Sequence, residues 1–204
     1  MKTDKKELIF KATEELISEA AYNDITVDAI AKKAGIGKGS VYYYFKSKDE
    51  IIYAVVERSY RRAIRDFFEN IHNRPETSAL EKMKLLFYSI IKQDYSNNEK
   101  NMLHKLNLHE DPDIHHKINV AAIQEIAPVV EQLMYEGITE GTIHSQTPKE
   151  SAEVIVAVLT YFLDRTMYSD DPQVMLNRMK LISEVMETCL KAEKGSFDYL
   201  YKLN

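Results

Sequence analysis

Apolar residues recur every three or four positions along most of this 204-residue chain, which is the spacing of one face of an α-helix. The first such stretch carries Leu8, Ala12, Leu16 and Ala20 on one face, and we expect it to end near Ala21, ahead of a polar, turn-prone segment. We find no convincing strand. The pattern therefore predicts an all-α fold of nine helices.

Helix starts are marked by a capping side chain that is followed three residues later by an acid, or directly by proline. Such signals stand at Asp4, Ser47, Ser78, Asp111, Thr147 and Asp171. We expect a long helix over residues 48–71 and another over 112–135, with a kink at Pro128. Gly137 and Gly141 are expected to bracket a loop.

Residues 26–51 contain two short helical segments that lie too close together for a strand crossover. The first segment ends at Gly35, and the second extends from Lys38 to Phe45. Two short helices joined by a glycine turn match the helix-turn-helix motif, whose second helix enters the major groove of DNA. A purely structural hairpin would not need three consecutive tyrosines framed by lysines and glycines. The stretch indicates a DNA-binding regulator.

The charge of the chain is distributed unevenly. Net charge is −5, but residues 1–65 hold 13 Lys and Arg against 10 Asp and Glu, an excess of three positive charges. Residues 66–204 hold 14 against 22, an excess of eight negative charges. This asymmetry favours a DNA-facing N-terminal part attached to an acidic body.

Composition indicates the cellular compartment of the protein. The chain is 45% hydrophobic, it has no apolar run long enough to cross a bilayer, and its Lys-rich start is not followed by the apolar region of a secretion signal. The single cysteine, Cys189, excludes an internal disulfide and is expected to be buried on the apolar face of the last helix. We therefore expect a cytoplasmic protein without a membrane segment.

The pattern from Thr26 through Ile30-Ala31, Ala34-Gly35 and Gly37-Lys38-Gly39-Ser40-Val41-Tyr42-Tyr43-Tyr44-Phe45-Lys46-Ser47-Lys48-Asp49-Glu50 resembles the TetR family of transcriptional regulators. The resemblance covers about the first 65 residues; beyond them, only the number and spacing of helices agree. It implies a homodimer in which residues 1–50 form a three-helix DNA-binding domain, within a helix-turn-helix region of about 4–64 that includes the connecting helix. Residues 65–204 would form a ligand-binding and dimerisation domain. It also implies a repressor that binds a palindromic operator and is released by a ligand. The residues themselves do not indicate whether the protein represses or activates transcription. One departure is Tyr44, which stands where histidine is frequent.

Carried over residue by residue, the resemblance implies two groups of DNA contacts. Phosphates would be contacted by Thr26, Lys38, Tyr42, Tyr44 and Lys48, and the groove by Gly37, Gly39, Ser40 and Tyr43. Tyrosine hydroxyls reach phosphates while their rings pack on sugars or thymine methyls, and glycine lets a helix approach DNA without a Cβ in between. Lys38 could instead read guanine, and one of the tyrosines could pack within the domain. Val41 and Phe45 are assigned to the core.

The expected effector pocket lies among the helices between residues 80 and 162. Candidate lining residues are the aromatic, aliphatic and methionine side chains Phe87, Tyr88, Ile91, Met102, Met134, Tyr161 and Phe162. Such residues suit an adaptable pocket for an apolar or amphipathic small molecule. The alternative is that each is ordinary helix core. No cofactor is expected.

The last two long helices, about 148–168 and 172–194, carry broad apolar faces. A helix that is apolar all round must be buried all round, so one side is expected to pack inward and the other against a second subunit. Two such helices from each subunit would form a four-helix bundle. The alternative is a central core helix in a monomer.

Residues 104–116 gather four of the six histidines and three acids. Imidazole and carboxylate groups are metal ligands, but no two of these histidines have the i, i+4 spacing of a helical metal site. A solvated junction that follows a short helix around residues 101–109 is the better interpretation of the segment. We therefore predict no metal. The chain has no nucleophile elbow, phosphate-binding glycine loop or HExxH motif, so we expect no enzymatic activity. The rival function is a helical small-molecule-binding or adaptor protein without a DNA-binding role.

Overall fold

The computed structural model describes residues 4–20, 22–72, 76–93, 112–162 and 171–202. Within these ranges every regular element is helical, which confirms the all-α prediction. The helices are α1 Lys5–Glu19, α2 Val27–Ala34, α3 Lys38–Tyr44, α4 Lys48–Phe67, α5 Ala79–Gln93, α6 Pro112–Glu140, α7 Pro148–Phe162 and α8 Pro172–Leu190. The helix predicted around residues 101–109 lies outside the described residues.

The predicted capping residues begin the helices in the described part of the chain; Asp111 lies outside it. Asp4 accepts a hydrogen bond from the Lys6 amide at 3.0 Å, and Asp171 accepts one from the Gln173 amide at 2.8 Å. Ser47 accepts from the Glu50 amide at 3.1 Å while the Glu50 carboxylate accepts from the Lys46 amide at 2.5 Å. These bonds satisfy backbone donors that the first turn of a helix leaves without a partner. A five-residue π-helical turn, Phe68–His72, follows α4 and ends one residue beyond the predicted helix end at residue 71.

The sequence prediction for Gly137 is wrong. Helix α6 continues to Glu140, with Pro128 inside it, so Gly137 lies within the helix instead of at the start of a loop. The chain turns at Gly141, whose φ of +75° suits glycine, and the buried Ile143 side chain folds back over the helix. A Cβ at position 137 would lie 2.7 Å from the Ile143 Cδ1 atom. Gly137 is therefore required by packing, not by a turn.

The chain divides into two compact units. The first holds the described residues within Met1–Ser59 and Ile91–Ile118, and the second those within Tyr60–Ile90 and Asn119–Asn204. The core of the first unit contains Ile9, Ile17, Ile25, Ile30, Val41, Phe45, Ile51 and Val55. The core of the second contains Phe67, Met83, Leu86, Val130, Leu133, Ile143, Val156 and Phe197. The predicted domain division, 1–50 and 65–204, stays a prediction.

No helix among the described residues combines the length and the apolarity that crossing a membrane requires.

Candidate DNA-binding surface

A tight glycine turn separates α2 from α3. Gly35 closes α2 with a φ of +67°, and the Ile36 amide donates back to the Ala31 carbonyl at 3.0 Å. This is the left-handed helix end that glycine adopts without a steric penalty. Gly37 then caps α3 in an extended conformation, so that only three residues separate the two helices. The arrangement is the predicted helix-turn-helix.

One face of α3 is buried and fixes the helix in place. Val41 is completely buried, and Phe45, directly after the helix, packs its ring 5.8 Å from that of Phe10. Their assignment to the core is confirmed. Because both side chains point inward, the residues between them turn toward solvent.

The three tyrosines occupy the opposite face. Their exposed fractions are 50% for Tyr42, 83% for Tyr43 and 36% for Tyr44. The rings of Tyr43 and Tyr44 meet edge to face at 5.0 Å, so Tyr44 also packs, but on its neighbour and not in the core. Three large aromatic rings on the surface of a seven-residue helix form a ready contact surface for a partner.

Glycine keeps the backbone of α3 open on this side. No heavy atom lies within 4 Å of the point where a Cβ would stand on Gly39, and the same holds for Gly37. Neither residue has the positive φ that would demand glycine for conformational reasons. An exposed backbone without side chains is what a close-fitting partner needs.

Two predicted lysines are held by specific partners. The Lys38 amine donates to the Asp28 carboxylate at 2.6 Å and lies 5.9 Å from the centre of the Tyr42 ring. The Lys48 amine donates to the Tyr22 carbonyl at 3.1 Å and lies 3.9 Å from the centre of the Tyr22 ring. Both amines are therefore oriented before any partner arrives.

Thr26 and Ser40 complete the predicted set. The Thr26 hydroxyl caps α2 by accepting from the Ala29 amide at 3.1 Å, and the residue is exposed. The Ser40 hydroxyl accepts from the Lys5 amine at 3.3 Å. Lys5 was not predicted from the sequence as part of this surface, since its place beside α3 depends on how α1 crosses the motif. Because Lys5 and Ser40 are 35 residues apart in the chain, no local sequence pattern predicts their contact.

A paired carboxylate and guanidinium join α1 to α4. The Arg58 guanidinium donates to both oxygens of Glu7, at 2.8 and 2.5 Å, and lies 5.0 Å from the centre of the Phe10 ring. The hydrogen bonds to Glu7 raise the pKa of Arg58. Two parallel bonds fix direction as well as distance, so this pair holds α1 against the first part of α4.

The predicted effector-pocket residues are only partly described. Phe87 and Met134 are buried, Tyr88 and Tyr161 half-buried, and Phe162 is 40% exposed. The Ile91 side chain and Met102 lie outside the described residues. The pocket stays a prediction.

A groove of about 230 Å³ lies between α7 and α8, lined by Val154, Ile155, Val158, Val185, Met186 and Cys189 among others. It includes no predicted pocket residue. Cys189 is exposed here, which corrects the expectation that it is buried, because the helix face that carries Leu181, Val185 and Cys189 points away from the core.

Among the described residues no group of His, Cys, Asp and Glu could hold a metal ion. Of the histidine-rich segment, residues 104–111 are outside the described part and 112–116 begin α6.

Comparisons with known proteins agree with this geometry. The model for bacterial regulatory proteins of the tetR family matches residues 9–55, and that for the tetracyclin repressor-like C-terminal domain matches residues 92–185. The chain is 28% identical over 153 residues to a fatty acid metabolism regulator protein of Bacillus subtilis, and the match covers 73% of each chain.

Solved structures show the same fold. RolR in complex with resorcinol has a TM-score of 0.73 at 10% identity, covering 98% of this chain and 94% of RolR. The fatty acid degradation regulator FadR of Bacillus halodurans has a TM-score of 0.61 at 20% identity, covering 100% of this chain and 97% of FadR. Members of the matched family are transcriptional regulators and not enzymes. The chain belongs to the TetR family and is a DNA-binding transcriptional regulator of this ligand-responsive class.

Proposed function

We propose that this regulator is a homodimeric repressor that binds a palindromic operator through α3 and is released by an apolar or amphipathic small molecule. The observation that carries the proposal is the surface of α3, where exposed tyrosines and open glycines lie beside two oriented lysines. As a DNA-binding transcriptional regulator it would act in the cytoplasm.

The proposed DNA contacts combine phosphate and groove groups. Tyr42, Tyr44 and Lys48 are assigned to phosphates together with the exposed helix cap at Thr26. Tyr43, the most exposed of the three rings, is assigned to the groove with Gly37, Gly39 and Ser40. Lys38 contacts DNA at the start of the recognition helix, and Lys5, beside Ser40, adds a positive charge at the same edge. Lys5, Lys38 and Lys48 would bring three basic side chains to this surface, of which Lys38 is paired with Asp28.

The proposed dimer interface lies on α7 and α8. Val154, Leu181 and Val185 are 59%, 55% and 47% exposed, an unusual density of large apolar side chains for a water-facing helix pair. The groove between the two helices continues this surface. Packing against the same helices of a second copy would cover it in a four-helix bundle, and a two-fold dimer would space the recognition helices about one DNA turn apart.

For the effector, compounds with an acyl chain are the first class that we propose. Two observations support this class. One is the similarity to the Bacillus subtilis protein that is named a fatty acid metabolism regulator, and the other is the set of buried apolar side chains on α5 and α6. A long chain can lie between packed helices while its polar head is bound by a few hydroxyl groups. Resorcinol, the ligand named for RolR, represents the competing class of compact aromatic effectors.

The DNA-binding proposal is tested by selecting duplexes from a random library with the purified protein, then measuring their dissociation constants by fluorescence anisotropy. Lys48→Gln is expected to weaken binding to all duplexes and to reduce the salt slope by about one. Lys11→Gln, on an exposed face of α1, is the charge-matched control. Failure to enrich any sequence, even at low salt, would favour an adaptor without a DNA-binding role.

The effector proposal is tested on the selected duplex with oleate, oleoyl-coenzyme A and resorcinol as probes. An acyl compound should raise the dissociation constant at least about tenfold, a typical allosteric coupling. If only resorcinol has this effect, the effector class is wrong while the repressor assignment stands.

A further inference from the structure

Asp28 is an acidic residue in the first turn of α2, on the side of the molecule that is proposed to face DNA. Its carboxylate lies 2.6 Å from the Lys38 amine, and the two side chains remain 68% and 48% exposed. A carboxylate in this position repels phosphate, so it needs a reason to stand beside a recognition helix.

The pair changes which acceptor suits Lys38. With its charge balanced by Asp28, the amine offers little net attraction for a phosphate, whose binding depends on charge neutralisation. Two of its three N–H donors remain available, and guanine presents two acceptors, O6 and N7, on its major-groove edge. The hydrogen bond to Asp28 also raises the pKa of Lys38.

The position of Lys38 in the fold agrees with this preference. It is the first residue of α3, and the N-terminal residues of a recognition helix are those that meet base edges. Its amine is fixed from two directions, by Asp28 on α2 and by the Tyr42 ring one turn further along α3. An amine restrained in this way is directed at one acceptor position, and at the start of α3 that position is a base edge.

We propose that Asp28 is a specificity-determining residue that directs Lys38 to a guanine and keeps it from serving as a general phosphate ligand. The inference rests on the proposed DNA contacts of α3 and decides between the two roles open to Lys38. In complexes with random DNA, the Asp28 charge lowers affinity; in the operator complex, the held amine reads one G·C pair in each half-site.

The test measures three variants on selected and random duplexes across a range of salt concentrations. Asp28→Asn should tighten binding to random DNA about fivefold and increase its salt slope by about one, because Lys38 becomes free to bind phosphate. Binding to the selected duplex should change less than about twofold, so the ratio of specific to random affinity falls. Lys38→Gln should abolish the preference at one G·C position with little change in salt slope.

Glu19→Gln is the matched control. It removes one negative charge from another exposed pair, with Lys33 at 2.5 Å between α1 and α2, and should leave the salt slope and the base preference unchanged. The inference is overturned if Lys38→Gln lowers the salt slope by about one without altering base preference, or if Asp28→Asn behaves like the control. A wild-type chain without affinity for any duplex would overturn the proposed function as well, whereas normal wild-type binding confines the failure to Asp28.

Discussion

Replacing Gly39 by alanine separates the stability of α3 from its ability to bind DNA. In the protein alone, a methyl group at this position meets no heavy atom within 4 Å, and the backbone has no positive φ, so no strain is introduced. Alanine is a better helix former than glycine and restricts the unfolded chain, so the free energy of unfolding should rise by about 0.5 kcal/mol.

The effect on DNA binding should have the opposite sign. A methyl group extends about 1.5 Å from the Cα, which holds α3 away from a groove that it would otherwise touch with its backbone. Since the tyrosine and lysine contacts are fixed to the same rigid helix, all of them lengthen together, and we expect at least a tenfold weaker complex, or about 1.4 kcal/mol. Urea unfolding followed by circular dichroism and anisotropy on the selected duplex measure the two quantities. A variant that is more stable and binds as tightly as the wild type refutes the close approach of α3.

Three further changes test other parts of the structure. Gly137→Ala should lower the free energy of unfolding by about 1–3 kcal/mol, because the new Cβ meets the buried Ile143 side chain; an unchanged urea midpoint contradicts this packing. Tyr199→Phe removes a buried hydroxyl that has no hydrogen-bond partner among the described residues, so stability at pH 7 should rise by about 0.5 kcal/mol. Burial raises the pKa of Tyr199, so above about pH 10 only the unfolded chain loses the hydroxyl proton. The free energy of unfolding of the wild type should therefore fall more steeply with pH than that of the variant. Parallel curves for the two proteins would contradict the burial of this hydroxyl. Val185→Glu places a charge on the exposed apolar face of α8 and should convert the proposed dimer to a monomer, as measured by light scattering. An unchanged dimer mass would exclude this interface.

The elements whose formation depends on local chemistry were predicted well. The caps at Asp4 and Ser47 act on amides two or three residues away, so the sequence contains the whole interaction. The turn at Gly35 is equally local, because one left-handed residue ends α2 and sets the start of α3. The inward position of Val41 then determined which face of α3 is exposed.

Features that depend on distant residues were not predictable in the same way. Gly137 was mistaken for a turn residue because its reason for being glycine, the return of Ile143, arises only after the chain has folded back. Cys189 was placed in the core because its helix is apolar on a broad face, and periodicity does not tell which part of that face a neighbouring helix covers. The pairing of Asp28 with Lys38 follows the packing angle of two helices and has no signature in composition or spacing.

The most direct test of the central claim, that α3 of each subunit enters a major groove, is hydroxyl-radical footprinting of the selected duplex. We predict two protected patches about one helical turn apart, about 10 base pairs, related by the symmetry of the site. Gly39→Ala should weaken both patches together. A single patch, patches without this spacing, or a duplex that remains unprotected at saturating protein would contradict the account.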